Sequence, residues 1–208
     1  MFEIRQCTQP DCRLRMPIDP AVHRGLFCPR CGAPMERVVD SYQHRQPAGT
    51  TRPKRKVSVL LDNIRSAYNV GAIFRTADGI GAAHLYLCGF TPNPGDNAAI
   101  SKTALGAEKS VSWSAHPNGL NVGRDLRAKG CRLLALETTD QSRPIYEISS
   151  HDFETQPLLL IVGNEQAGMD PGLLELCDRV LSVPMVGAKA SLNVAVAFGV
   201  AAYWLAFS

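Results

Sequence analysis

The chain has 208 residues, with 45% hydrophobic and 20% charged residues and a formal charge of +3, an ordinary globular composition that makes a folded chain the default reading and leaves room for one substantial core plus a small accessory unit. The apolar stretch 192–207 is too short, and too rich in Ala and Gly, to span a membrane, and residues 1–11 lack the apolar run of a signal peptide. A soluble, cytoplasmic protein without a membrane partner is therefore expected.

The first 56 residues hold 11 Lys/Arg against 5 Asp/Glu, a balance of +6, and residues 57–208 hold 11 against 14, a balance of −3. A cationic segment joined to a slightly acidic body points to a polyanion partner, because Lys/Arg contacts with phosphate supply much of nucleic-acid affinity. The alternative is a solvated tail.

Four of the seven cysteines fall in this segment, as Cys7-x4-Cys12 and Cys28-x2-Cys31. That spacing fits a zinc ribbon over residues 1–39, with Zn(II) held by Cys7, Cys12, Cys28 and Cys31. Pro29 stiffens the second pair, and Gly32 permits a tight turn that brings backbone amides to the thiolates. Four thiolates on one Zn(II) leave the site near −2, so the segment's effective charge is nearer +4 than +6. A unit this small needs the metal for its folding free energy, roughly 10 kcal/mol or more at structural sites. The competing reading, two disulfides, is disfavoured in a reducing compartment. His23 is read as a surface residue, and Cys88, Cys131 and Cys177 as core residues.

Residues 40–56 are polar, contain Pro and Gly and end in a basic run, which reads as a linker with a phosphate-seeking end. Apolar strands then alternate with helical patterns. VSVLL precedes VGAIFRTADGIG; HLYLCGF precedes a polar stretch to about Glu108; SVSWSA precedes LNVGRDLRAKG and RLLALE. PLLLIVG precedes PGLLELCD, and RVLSVPM precedes SLNVAVAFGVAAYWLAF. This alternation predicts an α/β domain over residues 57–208 with a mainly parallel sheet.

Three segments place polar residues just after a predicted strand, where ligand sites of α/β folds lie. The first runs from Asn63 to Arg75, with Asn69 as the expected cap of a helix and Arg75 six residues further on. A capped helix with a surface arginine would look the same. The second is Gly163-Asn-Glu-Gln-Ala-Gly168 after LLLIV, whose glycines would let backbone approach a ligand, with Pro171 as a first-turn residue. The third is Val183-Pro-Met-Val-Gly-Ala-Lys-Ala-Ser191-Leu-Asn-Val194, a strand end and a loop with a helix opened by Ser191. Here too ordinary capping explains Ser and Asn.

Together the segments resemble the three motifs of the SpoU/TrmH RNA ribose methyltransferases of the SPOUT superfamily, in the right order. N-x-R-x-x-x-N-x-G-x-x-x-R, G-N-E-x-x-G and P-M-x-G-x-x-x-S-L-N-V are all complete, and Lys102-Thr-Ala-Leu-Gly-Ala-Glu108 is similar to the family's intermediate segment. The resemblance covers residues 57–208; the zinc ribbon lies outside the common pattern.

It implies an α/β fold whose C-terminal region forms a deep trefoil knot, an exception to unknotted chains. It also implies a homodimer with the active site at the subunit interface and S-adenosylmethionine-dependent 2'-O-methylation of tRNA or rRNA. By position, Gly163, Val183 and Leu192 would hold the cofactor through backbone groups, with Asn164 and Met185 adjacent. Asn69, Arg75, Glu165, Ser191 and Asn193 would surround the reacting ribose. Arg75 is the family's usual catalytic assignment, but a guanidinium stays protonated, which favours a clamp on the neighbouring phosphate over a base. Glu165 would offset the positive charge of Arg75 and the sulfonium.

Two rivals remain. A non-catalytic RNA-binding protein, with a working zinc ribbon and a dimerising knotted domain, would not need Arg75, Glu165 and Asn193 intact. An enzyme of another nucleotide would need a phosphate loop, and neither G-x-G-x-x-G after a strand nor G-x-x-x-x-G-K-[ST] occurs.

Overall fold

The computed structural model describes residues 2–42, 51–148, 153 and 156–208. Contacts divide the chain into two compact units, Met1–Thr50 and Thr51–Ser208. Much of the expected linker, residues 43–50, lies outside the described residues.

In the first unit, β1 (Glu3–Cys7) pairs antiparallel with β2 (Arg15–Ile18) and β3 (Met35–Asp40). Its core is small: Cys7, Cys28 and Met35 are buried, with Cys12, Leu14, Met16 and Ala33 packed against them. The thiols thus take the place of a conventional apolar core, as expected of a unit too short to bury enough carbon.

The second unit is a seven-stranded sheet in which every pairing is parallel. In chain order its elements begin with β4 (Val57–Asp62), α1 (Ala67–Gly79) and β5 (Leu85–Cys88). There follow α2 (Ser101–Ala104), α3 (Ala107–Ser110), β6 (Trp113–His116), α4 (Gly119–Ala128) and β7 (Arg132–Leu136). The remainder is β8 (Arg143–Pro144), a 3-10 turn (Ile145–Glu147), β9 (Leu158–Val162), α5 (Pro171–Leu176), β10 (Arg179–Ser182) and α6 (Val194–Phe207). The strand order is β6-β5-β4-β9-β7-β10-β8.

The period-two alternation of the central strands separates two cores. Val59, Leu61, Leu134, Leu136, Leu158, Leu160 and Val162 face α1 and α6; Leu60, Leu133, Ala135, Leu159 and Ile161 face α4 and α5. Because helices cover both faces, these strands read as continuous apolar runs in the sequence. Cys88 belongs to the second core, and burial pushes its thiol up to about 12. Cys131 and Cys177 are only half-buried at its margin.

Several boundaries differ from expectation. Ser66, not Asn69, caps α1, its Oγ accepting from the Asn69 N–H at 3.3 Å, so the cap lies three residues earlier. Asn193, not Ser191, caps α6, its Oδ1 accepting from the N–H groups of Ala195 (2.9 Å) and Val196 (3.4 Å). β8 has only two residues and no apolar signal. The stretch expected to be merely polar up to Glu108 folds as α2 and α3, hinged at Leu105 (φ 53°) and Gly106 (φ 98°).

The basic run is tied to the second unit. The Lys54 N–H donates to Ala206 O (2.8 Å), Arg55 Nη1 to Leu205 O (3.2 Å), and the Leu158 N–H to Lys56 O (3.0 Å). Residues 2–42 alone hold six Lys/Arg and five Asp/Glu, so the positive charge read from residues 1–56 belongs mostly to the sheet domain. Among the described residues no helix is long and apolar enough to cross a membrane.

Candidate active site and metal centre

At the carboxyl ends of β9, β7 and β10 lies a cleft of about 330 Å³. It is lined by Val162 to Glu165, by Leu136 to Thr138, and by Ser182, Val183 and residues 191–194, with Asn69 and Ala197 completing it. The position is the one expected for ligands of open parallel sheets, and the volume falls in the range of small-molecule sites. Eight residues singled out from the sequence therefore meet in one place: Asn69, Gly163, Asn164, Glu165, Val183, Ser191, Leu192 and Asn193.

Each is held by identifiable contacts. A Cβ on Gly163 would lie 2.6 Å from the N and Cα of Met169, so only glycine fits there. Asn164 and Gly168 exchange two backbone hydrogen bonds of 3.0 Å, closing the G-N-E-x-x-G segment on itself. Inside that loop, Asn164 Oδ1 accepts from the N–H groups of Gln166 and Ala167, both at 2.9 Å, while its Nδ2 donates to Asn63 O (2.6 Å). Gly168 has φ +75°, the left-handed region that favours glycine.

Glu165 accepts from the N–H groups of Arg65 (2.8 Å) and Ser66 (3.2 Å) and from Asn69 Nδ2 (3.0 Å). The carboxylate therefore sits on the N-terminus of α1, where backbone donors and the helix dipole favour negative charge. Burial pushes the carboxyl up, but these donors outweigh it and hold it below the ordinary glutamate value. Asn69 Oδ1 accepts from Asn193 Nδ2 at 3.1 Å. A chain Glu165–Asn69–Asn193 thus links the loop after β9, the start of α1 and the start of α6. The expected role of Glu165, offsetting Arg75, has no contact behind it.

Two sequence-predicted residues do not line this cleft. Arg75 is exposed on α1 and makes no hydrogen bond or ion pair among the described residues. Six residues from Asn69, it is about 9 Å further along the axis and about 240° around it. Met185 lines an adjoining pocket with Pro184 and residues 187–190, which shares Thr138, Ser182 and Val183 with the cleft.

Sequence reasoning missed Glu137, Thr138 and Ser182. Glu137 Oε2 accepts from the Met169 N–H (3.1 Å) and Oε1 from the Thr138 N–H (2.9 Å), leaving a carboxylate at the cleft wall. The available signal was a charged residue directly after the apolar strand RLLAL, the same strand-end logic applied elsewhere. Of the first motif's other members, Arg65 donates from Nη1 to Gln166 Oε1 in the G-N-E-x-x-G loop, and Asn63 and Gly71 are structural. Asn63 (φ 57°) donates to the buried Asp62 carboxylate (3.0 Å) and accepts from the Phe90 N–H (3.3 Å). Gly71 is where α1 meets Ile100 and Thr103, too close for any side chain.

In the first unit the sulfur atoms of Cys7, Cys12, Cys28 and Cys31 all lie within 4.8 Å of one another. Cys7–Cys31 is 3.4 Å and Cys12–Cys28 is 3.7 Å, near the edge of about 3.8 Å of a tetrahedron with Zn–S bonds of about 2.3 Å. None is disulfide-bonded. Burial raises Cys28, but backbone N–H groups at Arg30 and Cys31 and the neighbouring thiols bring it down to about 7. The amides of the second cysteine pair do approach its sulfur, and the donor set fits a divalent zinc-type ion.

Comparison with known proteins bears on the second unit. Residues 56–203 match the model of the SpoU rRNA Methylase family. The chain is 32% identical over 146 residues to a tRNA (guanosine(18)-2'-O)-methyltransferase of Aquifex aeolicus, covering 70% of this chain and 66% of that protein. It is 33% identical over 142 residues to a 23S rRNA (guanosine-2'-O-)-methyltransferase of Ralstonia nicotianae, covering 68% of this chain and 55% of that protein. Among solved structures, the A. aeolicus TrmH/SpoU tRNA modifying enzyme superposes with a TM-score of 0.63 at 29% identity, covering 74% and 76% of the two chains. A SpoU methyltransferase of Streptomyces viridochromogenes in complex with AdoMet gives 0.64 at 27% identity, covering 84% and 68%.

Proposed function

Given that this chain belongs to the SpoU methylase family, we propose that it methylates the 2'-oxygen of a ribose in tRNA or rRNA, using S-adenosylmethionine. The observation that carries this reading is the cleft itself: three separate sequence segments, the first about a hundred residues before the other two, converge there and bring eight of the motif residues to one space. A solved neighbour that holds AdoMet shares the fold. The rival of a non-catalytic binding protein gives no reason for that convergence.

The cofactor supplies an electrophilic methyl group on a sulfonium. This chain's task is to align the ribose with that methyl and help a poorly acidic hydroxyl lose its proton. Backbone groups at Gly163, Val183 and Leu192 would hold the cofactor, with Asn164 fixing the first of these loops, Met185 beside them and Glu137 offering an acceptor for hydroxyl or amino groups. Asn69, Ser191 and Asn193 would hydrogen-bond the ribose. Glu165 keeps Asn69 oriented. Arg75 would clamp the phosphate next to the 2'-OH, with the proton passing to phosphate or water.

Arg75 lies outside the cleft of its own chain, which supports a homodimer in which each arginine serves the partner's cleft. α6 supports the same reading. It is apolar on every side, and Val196, Val200, Tyr203 and Trp204 remain 37–53% exposed along one stripe, as on a helix that a partner covers. The C-terminal trefoil knot, the structural zinc at Cys7, Cys12, Cys28 and Cys31, and a cytoplasmic setting that keeps the seven thiols unpaired belong to this reading too.

Turnover of Arg75→Ala at saturating RNA and cofactor tests the assignment. A fall of about a hundredfold is expected for a lost positioning contact; full turnover would contradict it.

A further inference from the structure

The zinc-type unit carries an exposed apolar loop that neither the cleft nor the metal centre accounts for. Val22, Leu26 and Phe27 are 84%, 48% and 65% exposed, and they line one groove together with Met16, Ile18, Arg24 and Pro29. Isolated exposed apolar residues are ordinary; three in one groove, one of them aromatic, are less so.

The loop is held in shape. The Met35 N–H donates to Leu26 O (2.9 Å), the Cys28 N–H to Ala33 O (2.8 Å), and Arg5 Nη1 to Gly25 O (3.2 Å). Gly25 (φ +61°) packs so tightly that an added Cβ would meet Ile18 at 2.9 Å. Phe27, paired by a backbone bridge with Pro34 and followed directly by a metal-ligating cysteine, is therefore presented rigidly to solvent.

Two arginines stand close to it in sequence. Arg24 lines the groove, as does Asp19, whose carboxylate accepts from the Ala21 N–H at 3.1 Å, and Arg30 follows Pro29; neither arginine side chain makes a hydrogen bond or ion pair among the described residues. Arg5 and Arg37, by contrast, are bound to Glu3, and Arg37 also to Asp40. With six basic and five acidic residues over 2–42 and a tetrathiolate zinc site near −2, net charge would not draw RNA to this unit, and the attraction has to come from these two arginines. A rigidly held aromatic face with two unpaired guanidiniums near it in sequence suits a polyanion that also offers flat rings.

We propose that this loop is a single-stranded RNA site, in which an unpaired base stacks on Phe27 while Arg24 and Arg30 contact the flanking phosphates. Bases of a duplex have no free face to offer, so the ligand is a loop, bulge or end of the substrate RNA. This rests on the RNA and zinc readings above and adds a second, stacking contact remote in sequence from the methyl-transfer cleft.

The test uses the full-length, zinc-loaded protein and a short fluorescein-labelled single-stranded RNA of mixed sequence, with its duplex as comparison. Phe27→Ala should weaken single-strand binding by about tenfold, leave duplex binding and zinc content unchanged, and be rescued by Phe27→Trp. Phe27→Ala should also leave the salt dependence intact, whereas the double change Arg24→Gln, Arg30→Gln should lower its slope by about 1.4. Unchanged single-strand affinity of Phe27→Ala with zinc retained, or an equal loss on the duplex, would overturn the proposal and leave the groove to a protein partner. Zinc content and methyl transfer, measured on the same preparations, report separately on the readings beneath it.

Discussion

Gly163→Ala probes the cleft at its tightest point. The new Cβ would sit 2.6 Å from the backbone N and Cα of Met169 and the added methyl cannot rotate away, whereas ordinary carbon contacts lie at about 3.5–4.0 Å. Relief requires about 1 Å of backbone movement, and the segment that must move is closed by the paired 3.0 Å bonds between Asn164 and Gly168. Losing both at about 1 kcal/mol each, or absorbing overpacking of about 1–3 kcal/mol, gives the same answer of about 2 kcal/mol. For a unit of this size that lowers Tm by about 4–8 °C. The displaced loop carries Gly163 and Glu165 with it, so cofactor affinity should fall by more than tenfold. Thermal melts and calorimetric titration with S-adenosylmethionine measure the two effects; an unchanged Tm together with unchanged affinity would refute the packing argument.

Further outcomes follow from the same contacts. Glu165 has a folded pKa below its unfolded value, so its contribution is present above about pH 4.3 and is lost as pH falls through the lower folded value. The Tm gap between wild type and Glu165→Gln, under about 1 kcal/mol in free energy because the group is well solvated, should be widest near neutrality and close toward pH 3; a gap that widens in acid would reverse the sign. If Arg75 acts across a dimer, mixing inactive Arg75→Ala with inactive Asn193→Ala subunits should restore about a quarter of wild-type activity, one good site in half of the dimers. No recovery after verified subunit exchange would place Arg75 in its own chain's site. Stripping metal with a chelator should unfold residues 2–42, read by amide exchange, while S-adenosylmethionine binding persists, since every cleft residue belongs to the second unit.

Much of the fold was legible because its strands are buried on both faces. LLLIV and RLLAL could be read as parallel strands from apolar runs alone, and Asp170 with Pro171 starts α5 as its sequence suggests. Arg143–Pro144 could not, since two residues, neither of them a strand former, acquire their pairing only from β10. Caps were misplaced for a local reason: Ser66 and Asn69, like Ser191 and Asn193, are equally good capping residues, and tertiary contacts to Glu165 and between the two asparagines decide between them. The cleft's polar residues announced themselves by standing after strands. Glu137 stood in the same position and went unmarked because no motif accompanied it, and the exposure of Phe27 had no sequence signature at all, an aromatic beside a cysteine reading equally as core.

The most direct measurement is transfer of labelled methyl from S-adenosylmethionine to total RNA lacking native modification, followed by nucleoside analysis. The account predicts a single class of 2'-O-methylated nucleoside, formed about a hundredfold more slowly with Arg75→Ala. Label on a base, or cofactor binding with no methylation of any RNA, would contradict it.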